Sequence, residues 1–285
     1  MRTAKLIGGH GPSPRAVRRF AASRTNLTPP TALGLGVSVL WFSILVLLPL
    51  AAVAATAATG GWAGFVHTLA SPQTAAAIWL TLVEATLVTL LNVVVGTILA
   101  WVLVRDRFPG KRLLDTVIDV PFALPTIVAG LVLLMLYGPR SPIGLDVSNT
   151  RTAVFLAYAF VTLPFVVRSV QPVLEALDRD AEEAAVSLGA SPLVTFRRVI
   201  LPSLLPAIAS GAALSFARAA SEYGSLVLIS GNLALRTEVT SVRILTYIEN
   251  GSLSSAAVVA TVLLAVALVV IVGIDVGQRR LVRRG

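Results

Sequence analysis

Ser215, Arg218, Glu222 and Ser225 lie at spacings of three, four and three within the apolar stretch SGAALSFARAASEYGS. At helical periodicity this places all four within about 80° on one face. Their neighbours Gly211, Ala212, Ala213, Ala217, Ala219, Ala220 and Gly224 are small, which permits close helix approach. A charge in the middle of an apolar helix faces a bundle interior or a wet cavity and pairs with another charge. Arg218 and Glu222, four apart, are the local pair. Such a stripe could brace helix packing or a subunit interface, or it could handle an anion in transit. Glu84, Asn92, Asp115 and Asp119 are weaker candidates, with Lys111 or Arg112 the expected partner of Asp115 at helical spacing.

Catalytic chemistry finds little support. His10 and His67 fall on opposite sides of the membrane by the topology below, so they offer neither a metal pair nor a relay to serine. The chain has no cysteine. Its Gly-Lys, in RDRFPGKRLL, has Arg105 where a phosphate-binding loop needs the first glycine and Arg112 where it needs Ser or Thr. Energy from ATP would have to come through another subunit. An intramembrane aspartyl protease needs carboxylates converging from two segments, whereas Asp115 and Asp119 share one. A secondary transporter working without ATP is a further alternative.

The elements that must position these residues are membrane spans. The chain is 56% hydrophobic and 13% charged, about half the charge of a soluble domain. Six apolar segments approach the ~20 residues that cross a bilayer: 32–54, 78–104, 113–137, 152–173, 204–229 and 256–276. The first extends as a helix to about 58, and a single membrane domain would occupy 78–276. Alternate connecting segments carry 18 and 4 Lys and Arg, which puts both termini in the cytoplasm. The net charge of +9 is therefore topology and not a nucleic-acid footprint. Residues 1–31 and 277–285 read as basic cytoplasmic tails, the first disordered on anionic lipid. The first span is too long for a cleaved signal peptide. Pro121 and Pro125 in the third span, like Pro164 and Pro172 in the fourth, remove backbone donors and kink or break their helices. Four apart and near Gly130, Pro121 and Pro125 suggest a pathway lining, the alternative being kinks that serve packing alone. The outer stretch ALRTEVTSVRILTYIENG suggests either a short surface helix or a plain connector.

The cytoplasmic loop 174–203 is the most heavily punctuated segment. In DRDAEEAAVSLGAS, Ala181, Ala184, Ala185 and Leu188 form one apolar face, with Glu183 opposite. Gly189 stands where a helix ends in the left-handed conformation. Ser191 is an N-cap and Pro192 a first helical residue, and Pro202 is expected to break the chain at membrane re-entry. Helix, sharp turn and helix present a corner suited to a soluble partner, or an amphipathic hairpin lying on the membrane surface.

These residues resemble the cytoplasmic signature of the permease subunits of bacterial ABC importers. Glu183-Ala184-Ala185, three residues, Gly189, nine residues and Val199-Ile200-Leu201-Pro202 match it in register, with Val199 in place of the usual Ile. The stretches RFPGKRLLDTVIDVPFALPTIVAG, VTLPFVVRSVQPVLEALDRDAEEAAVSLGA, LSFARAASEYGSLVLISGN and RTEVTS are similar to the T-type membrane subunits of sulfate/thiosulfate importers. Molybdate permeases look similar at the loop. The resemblance covers roughly residues 33–275 and implies an all-α, six-span type I importer permease of MetI-like fold. It also implies that the chain is not itself an enzyme. Gly189, Ala190 and Ser191 would sit at the corner pushed by the ATPase. The implied partners are a W-type permease subunit, two copies of a cytoplasmic ATPase carrying ATP and Mg, and an extracytoplasmic sulfate-binding protein, all working by alternating access. This chain would bind no cofactor.

Overall fold

The structure, a computed structural model, describes residues 29–282. Most of the expected N-terminal tail and residues 283–285 lie outside the described residues. The chain is all-helical there. The elements are α1 (Pro30–Ala58), α2 (Gly61–Ala70), α3 (Pro72–Arg105), α4 (Lys111–Ala123), α5 (Thr126–Tyr137) and α6 (Arg151–Glu175), followed by α7 (Arg179–Ser187), α8 (Pro192–Ala220), α9 (Leu226–Ile229), α10 (Thr240–Glu249) and α11 (Leu253–Val282). Five helices, α1, α3, α6, α8 and α11, are long and apolar enough to cross a membrane, and six spans result if α4 and α5 together form one. Among the described residues, those up to Ala52 and those from Val53 onward form separate units.

Local rules explain most boundaries. Ser71 caps α3 through its hydroxyl, which accepts from Thr74 N–H, and Pro72 follows at the first turn. The helix therefore starts six residues before the apolar run. At 1.5 Å per residue its 34 residues extend about 51 Å, more than the ~30 Å hydrocarbon layer. Pro164 and Pro172 lie inside an uninterrupted α6, so neither breaks it. Only Pro125 marks a true break: Leu124 is extended (φ −84°, ψ 135°), as a residue before proline prefers, and α5 leaves α4 at 116°.

Pro202 does not interrupt its helix either. Just before it, Phe196–Ile200 widens into a π-helical turn and Leu201 N–H bonds Phe196 O. This shift of the ladder brings proline into the helix without a stop. The same device occurs in α1, where the π-turn Ser43–Leu47 precedes Leu48-Pro49.

The bundle core is α3, α6 and α8. Near the α7 hairpin, Ala100, Leu103, Val166, Val170, Leu174, Ile200 and Leu204 pack together; toward the other end, Leu80, Val88, Tyr158, Phe216, Leu226 and Val239 do so. Between these clusters the backbones close in. A methyl on Gly96 would meet Val166 Cβ at 2.9 Å, and one on Gly211 would meet Val166 Cα at 3.0 Å. Small residues thus let three helices cross at one point. Asn92 donates to Thr162 Oγ1 (2.8 Å) just beyond it. The expected short helix is α10. It is pinned to α3, with Thr240 N–H donating to Thr81 Oγ1 (2.9 Å) and the Tyr247 hydroxyl bonded to Thr74 Oγ1 (2.8 Å).

Candidate functional site

Two places carry the polar residues singled out by sequence. The first is the projecting hairpin. Asp178 caps α7, accepting from Asp180 N–H at 2.9 Å. The helix ends at Ser187, Gly189 takes φ +83° and Ala190 N–H returns to Ala185 O (3.0 Å). Ser191 then caps the next helix, accepting from Val194 N–H at 3.4 Å, with Pro192 first. Glu183, Ala184, Gly189 and Ser191 are exposed, while Ala185 and Ala190 are half-buried. Leu188 is 89% exposed and Val186 and Leu193 are also open. An apolar corner built on a rigid turn therefore faces away from the chain. Leu201, half-buried, and Pro202, exposed, lie beyond the π-turn.

Both arms of this hairpin are tied to the end of α3. Arg105 forms an ion pair with Glu182 on the first arm. Trp101 meets Phe196 of the second arm edge to face, 5.6 Å between centroids, and Arg105 also lies over the Trp101 ring at 5.6 Å. Sequence offers no sign of the Glu182 partner, because Arg105 lies 77 residues away.

The second place is where two helix breaks cross. α8 stops at Ala220, so Ser215, Arg218, Glu222 and Ser225 do not form a stripe on one continuous helix. The Arg218–Glu222 pair does form, at 2.6 Å, with Glu222 fully buried. The other Glu222 oxygen accepts from both the N–H and the hydroxyl of Ser225, each at 2.9 Å. The Glu222 carbonyl accepts from Ser241 Oγ at 2.6 Å. These bonds replace the helical ladder and turn the chain. Ser215 is buried on α8, and its hydroxyl has no hydrogen-bond partner among the described residues.

The α4–α5 break packs directly on this turn. A methyl on Gly130 would lie 2.5 Å from Ser225 O, and one on Gly224 would collide with Thr126 Oγ1. Pro125 is exposed at the bend and Pro121 is half-buried inside α4. Non-helical backbone at membrane depth persists only where protein or a wet cavity satisfies it, and here the two breaks supply much of each other's surroundings.

A further cluster escaped the sequence reading. Arg168 donates to Asp119 through Nε and Nη2 and to Asp115 through Nη1, all at 2.7 Å, and to Gln171 Oε1 at 2.5 Å. Asp115 thus pairs with Arg168 of α6, 53 residues away, and not with Lys111 or Arg112. The available signal was an arginine near the end of one span and two carboxylates one turn apart at the start of another. Glu84 is buried on α3 toward the α10 end. Among the described residues no three His, Cys, Asp or Glu side chains group to hold a metal ion.

The fold and these two sites define a helical membrane component with a projecting, apolar-tipped hairpin. Residues 92–284 match the family of binding-protein-dependent transport system inner membrane components, and the chain belongs to that family. It is 41% identical over 272 residues to the sulfate transport system permease protein CysT of Salmonella typhimurium, covering 93% of this chain and 98% of that relative. The Escherichia coli protein of the same name matches with the same identity and coverage. Among solved structures, a chain of a bacterial alginate ABC transporter in complex with a pentasaccharide-bound periplasmic protein has the same fold, with TM-score 0.73 at 18% identity over 93% of this chain and 96% of that one.

Proposed function

We propose that this chain is the permease subunit of an ATP-driven sulfate importer, supplying half of the translocation pathway and working by alternating access. The observation that carries the reading is the 41% identity, over nearly the whole of both chains, to permeases named for sulfate transport. The chain itself is not catalytic. In this reading the chain has six spans, counting α4 and α5 as one, with both termini and the hairpin in the cytoplasm, an orientation supported by the Lys and Arg distribution. A W-type permease would complete the core, and two ATPase copies carrying ATP and Mg would take the two hairpins. An extracytoplasmic sulfate-binding protein would dock on the loops around α2, α10 and residues 138–150.

In this reading the exposed Val186, Leu188 and Leu193 corner seats on the ATPase. Gly189, Ala190 and Ser191 receive its movement, and Glu183, Ala184, Ala185, Leu201 and Pro202 frame it. The movement passes to α3 through Arg105–Glu182 and to α8 through the unbroken Pro192–Ala220 helix. Arg218, Glu222, Ser215 and Ser225, with the break near Pro121 and Pro125, line or brace the path. The ATPase drives the cycle by binding the two states with different affinity. Labelled sulfate uptake by cells with and without this chain tests the substrate, with thiosulfate, molybdate and phosphate as competitors. Sulfate uptake should be lost with the chain. Unchanged uptake without a redundant importer would remove the assignment.

A further inference from the structure

Arginine is disfavoured in outer loops of membrane proteins, so each outer arginine in the proposed orientation calls for a reason. Arg243 has one: it pairs with Glu238 at 3.8 Å and lies over the Tyr247 ring at 4.3 Å. Arg151 and Arg236 form no ion pair among the described residues. Instead they converge on a cavity of about 370 Å³ whose other walls are Asn149, Thr150 and Thr237.

Charge around this cavity is mostly positive, the buried Glu84 carboxylate of α3 being the acidic group that interacts with Arg151 at longer range. Arg151 is the first residue of α6, whose first turn holds no acidic residue. A helix N-terminus carries roughly half a positive charge, so a guanidinium there adds to a field that already favours an anion. The nearby carboxylate of Asp146 is occupied by Ser148, accepting from its N–H at 3.0 Å and its hydroxyl at 2.7 Å. The Thr237 hydroxyl is committed too, donating to Ser230 O (2.6 Å) and accepting from Leu233 N–H (3.0 Å).

The walls are fixed. Arg151 Nε donates to Arg236 O at 3.3 Å, which joins the two arginine segments. Asn149, at φ +60°, donates its N–H to Ile229 O at 2.9 Å. Gly231, at φ +70°, presses so closely on the Asn149 side chain that no Cβ would fit. Ile229 ends α9, a single turn of about 6 Å that begins immediately after Ser225. The cavity therefore lies one short helix beyond the Arg218–Glu222 turn.

We propose that Arg151 and Arg236 form an outer subsite for the tetrahedral oxyanion that the importer carries, received before it reaches the Arg218–Glu222 turn. This rests on the sulfate reading above. Each planar guanidinium presents paired donors to two oxygens, and a tetrahedral dianion has enough oxygens for both.

The test uses the complete importer in proteoliposomes with its binding protein, labelled sulfate and ATP, comparing wild type with Arg151→Gln/Arg236→Gln and Arg151→Lys/Arg236→Lys. Losing charge-assisted bonds at both residues should lower sulfate uptake at saturating binding protein by about tenfold or more. The binding-protein concentration that half-saturates ATPase stimulation should stay unchanged, and the lysine pair, which keeps the charge but loses the paired donors, should fall between wild type and the glutamine pair. Wild-type uptake in the glutamine pair would overturn the subsite. So would a raised half-saturating concentration with normal uptake at saturation, which would make the arginines a contact for acidic side chains of the binding protein. If wild type itself takes up no sulfate, the functional reading falls first, and the subsite with it.

Discussion

Arg105, in the last turn of α3, is ion-paired with Glu182 on the first arm of the hairpin, the two side chains being 13% and 21% exposed. The pair joins the hairpin to the longest helix of the bundle core, so under the proposed coupling a push on the corner would reach α3 as well as α8. A hydrogen bond to a charged group contributes roughly 1.5–3 kcal/mol. Glu182→Gln should therefore leave insertion intact while lowering uptake per ATP hydrolysed several-fold in reconstituted importer. An unchanged ratio would show that the tie carries no movement.

Gly189 tests the turn itself. A Cβ there would meet nothing within 4 Å, yet its φ is +83°. Any loss in Gly189→Ala thus comes from backbone conformation, at a cost of about 1 kcal/mol, whereas a bulky residue adds a clash with whatever seats on the corner. Gly189→Ala should transport nearly normally and Gly189→Trp should insert but uncouple ATP hydrolysis from uptake. Full ATP-driven uptake by the tryptophan variant would count against docking at this corner.

Arg168 holds α4 to α6 through two carboxylates. Arg168→Gln strands Asp115 and Asp119 and should reduce the yield of assembled importer by about tenfold. Adding Asp115→Asn and Asp119→Asn should restore part of it, because the stranded charges are removed. Equal yield of Arg168→Gln and wild type, measured by co-purification with the ATPase, would refute the structural role.

At the crossing of the two breaks, Gly224 and Gly130 leave no room for a side chain. Gly130→Val should force α5 away from Ser225 and abolish uptake even where the protein still inserts. Arg218→Ala leaves the buried Glu222 carboxylate without its counter-charge, a change that costs about 3–5 kcal/mol, and should impair assembly or transport. Arg218→Ala combined with Glu222→Gln separates the two roles: recovered assembly with lost uptake points to anion handling, and recovery of both points to bracing.

Much of the hairpin was legible because its determinants are local. Gly189, Ser191 and Pro192 act within a turn of themselves, and period and capping chemistry read them directly. The stop at Ala220 was not legible, since hydropathy continues through Ile229. It depends on Glu222 capturing Ser225 and on Gly224 meeting Thr126 from a segment nearly 100 residues away. The Arg168–Asp115 pair is invisible for the same reason, because helical spacing offers nearer cations. Pro202 misled in the other direction: proline predicts a break, and the π-turn that absorbs it has no signature of its own.

The central claim is that this chain passes sulfate when an ATPase works on its hairpin. It is tested most directly by labelled sulfate uptake into proteoliposomes holding the complete importer, with binding protein outside and ATP inside. Uptake should require ATP, the binding protein and this chain, and should fall with the Gly189→Trp hairpin. Sulfate accumulation that proceeds equally without ATP, or no sulfate uptake by an importer that accumulates another anion under the same conditions, would contradict it.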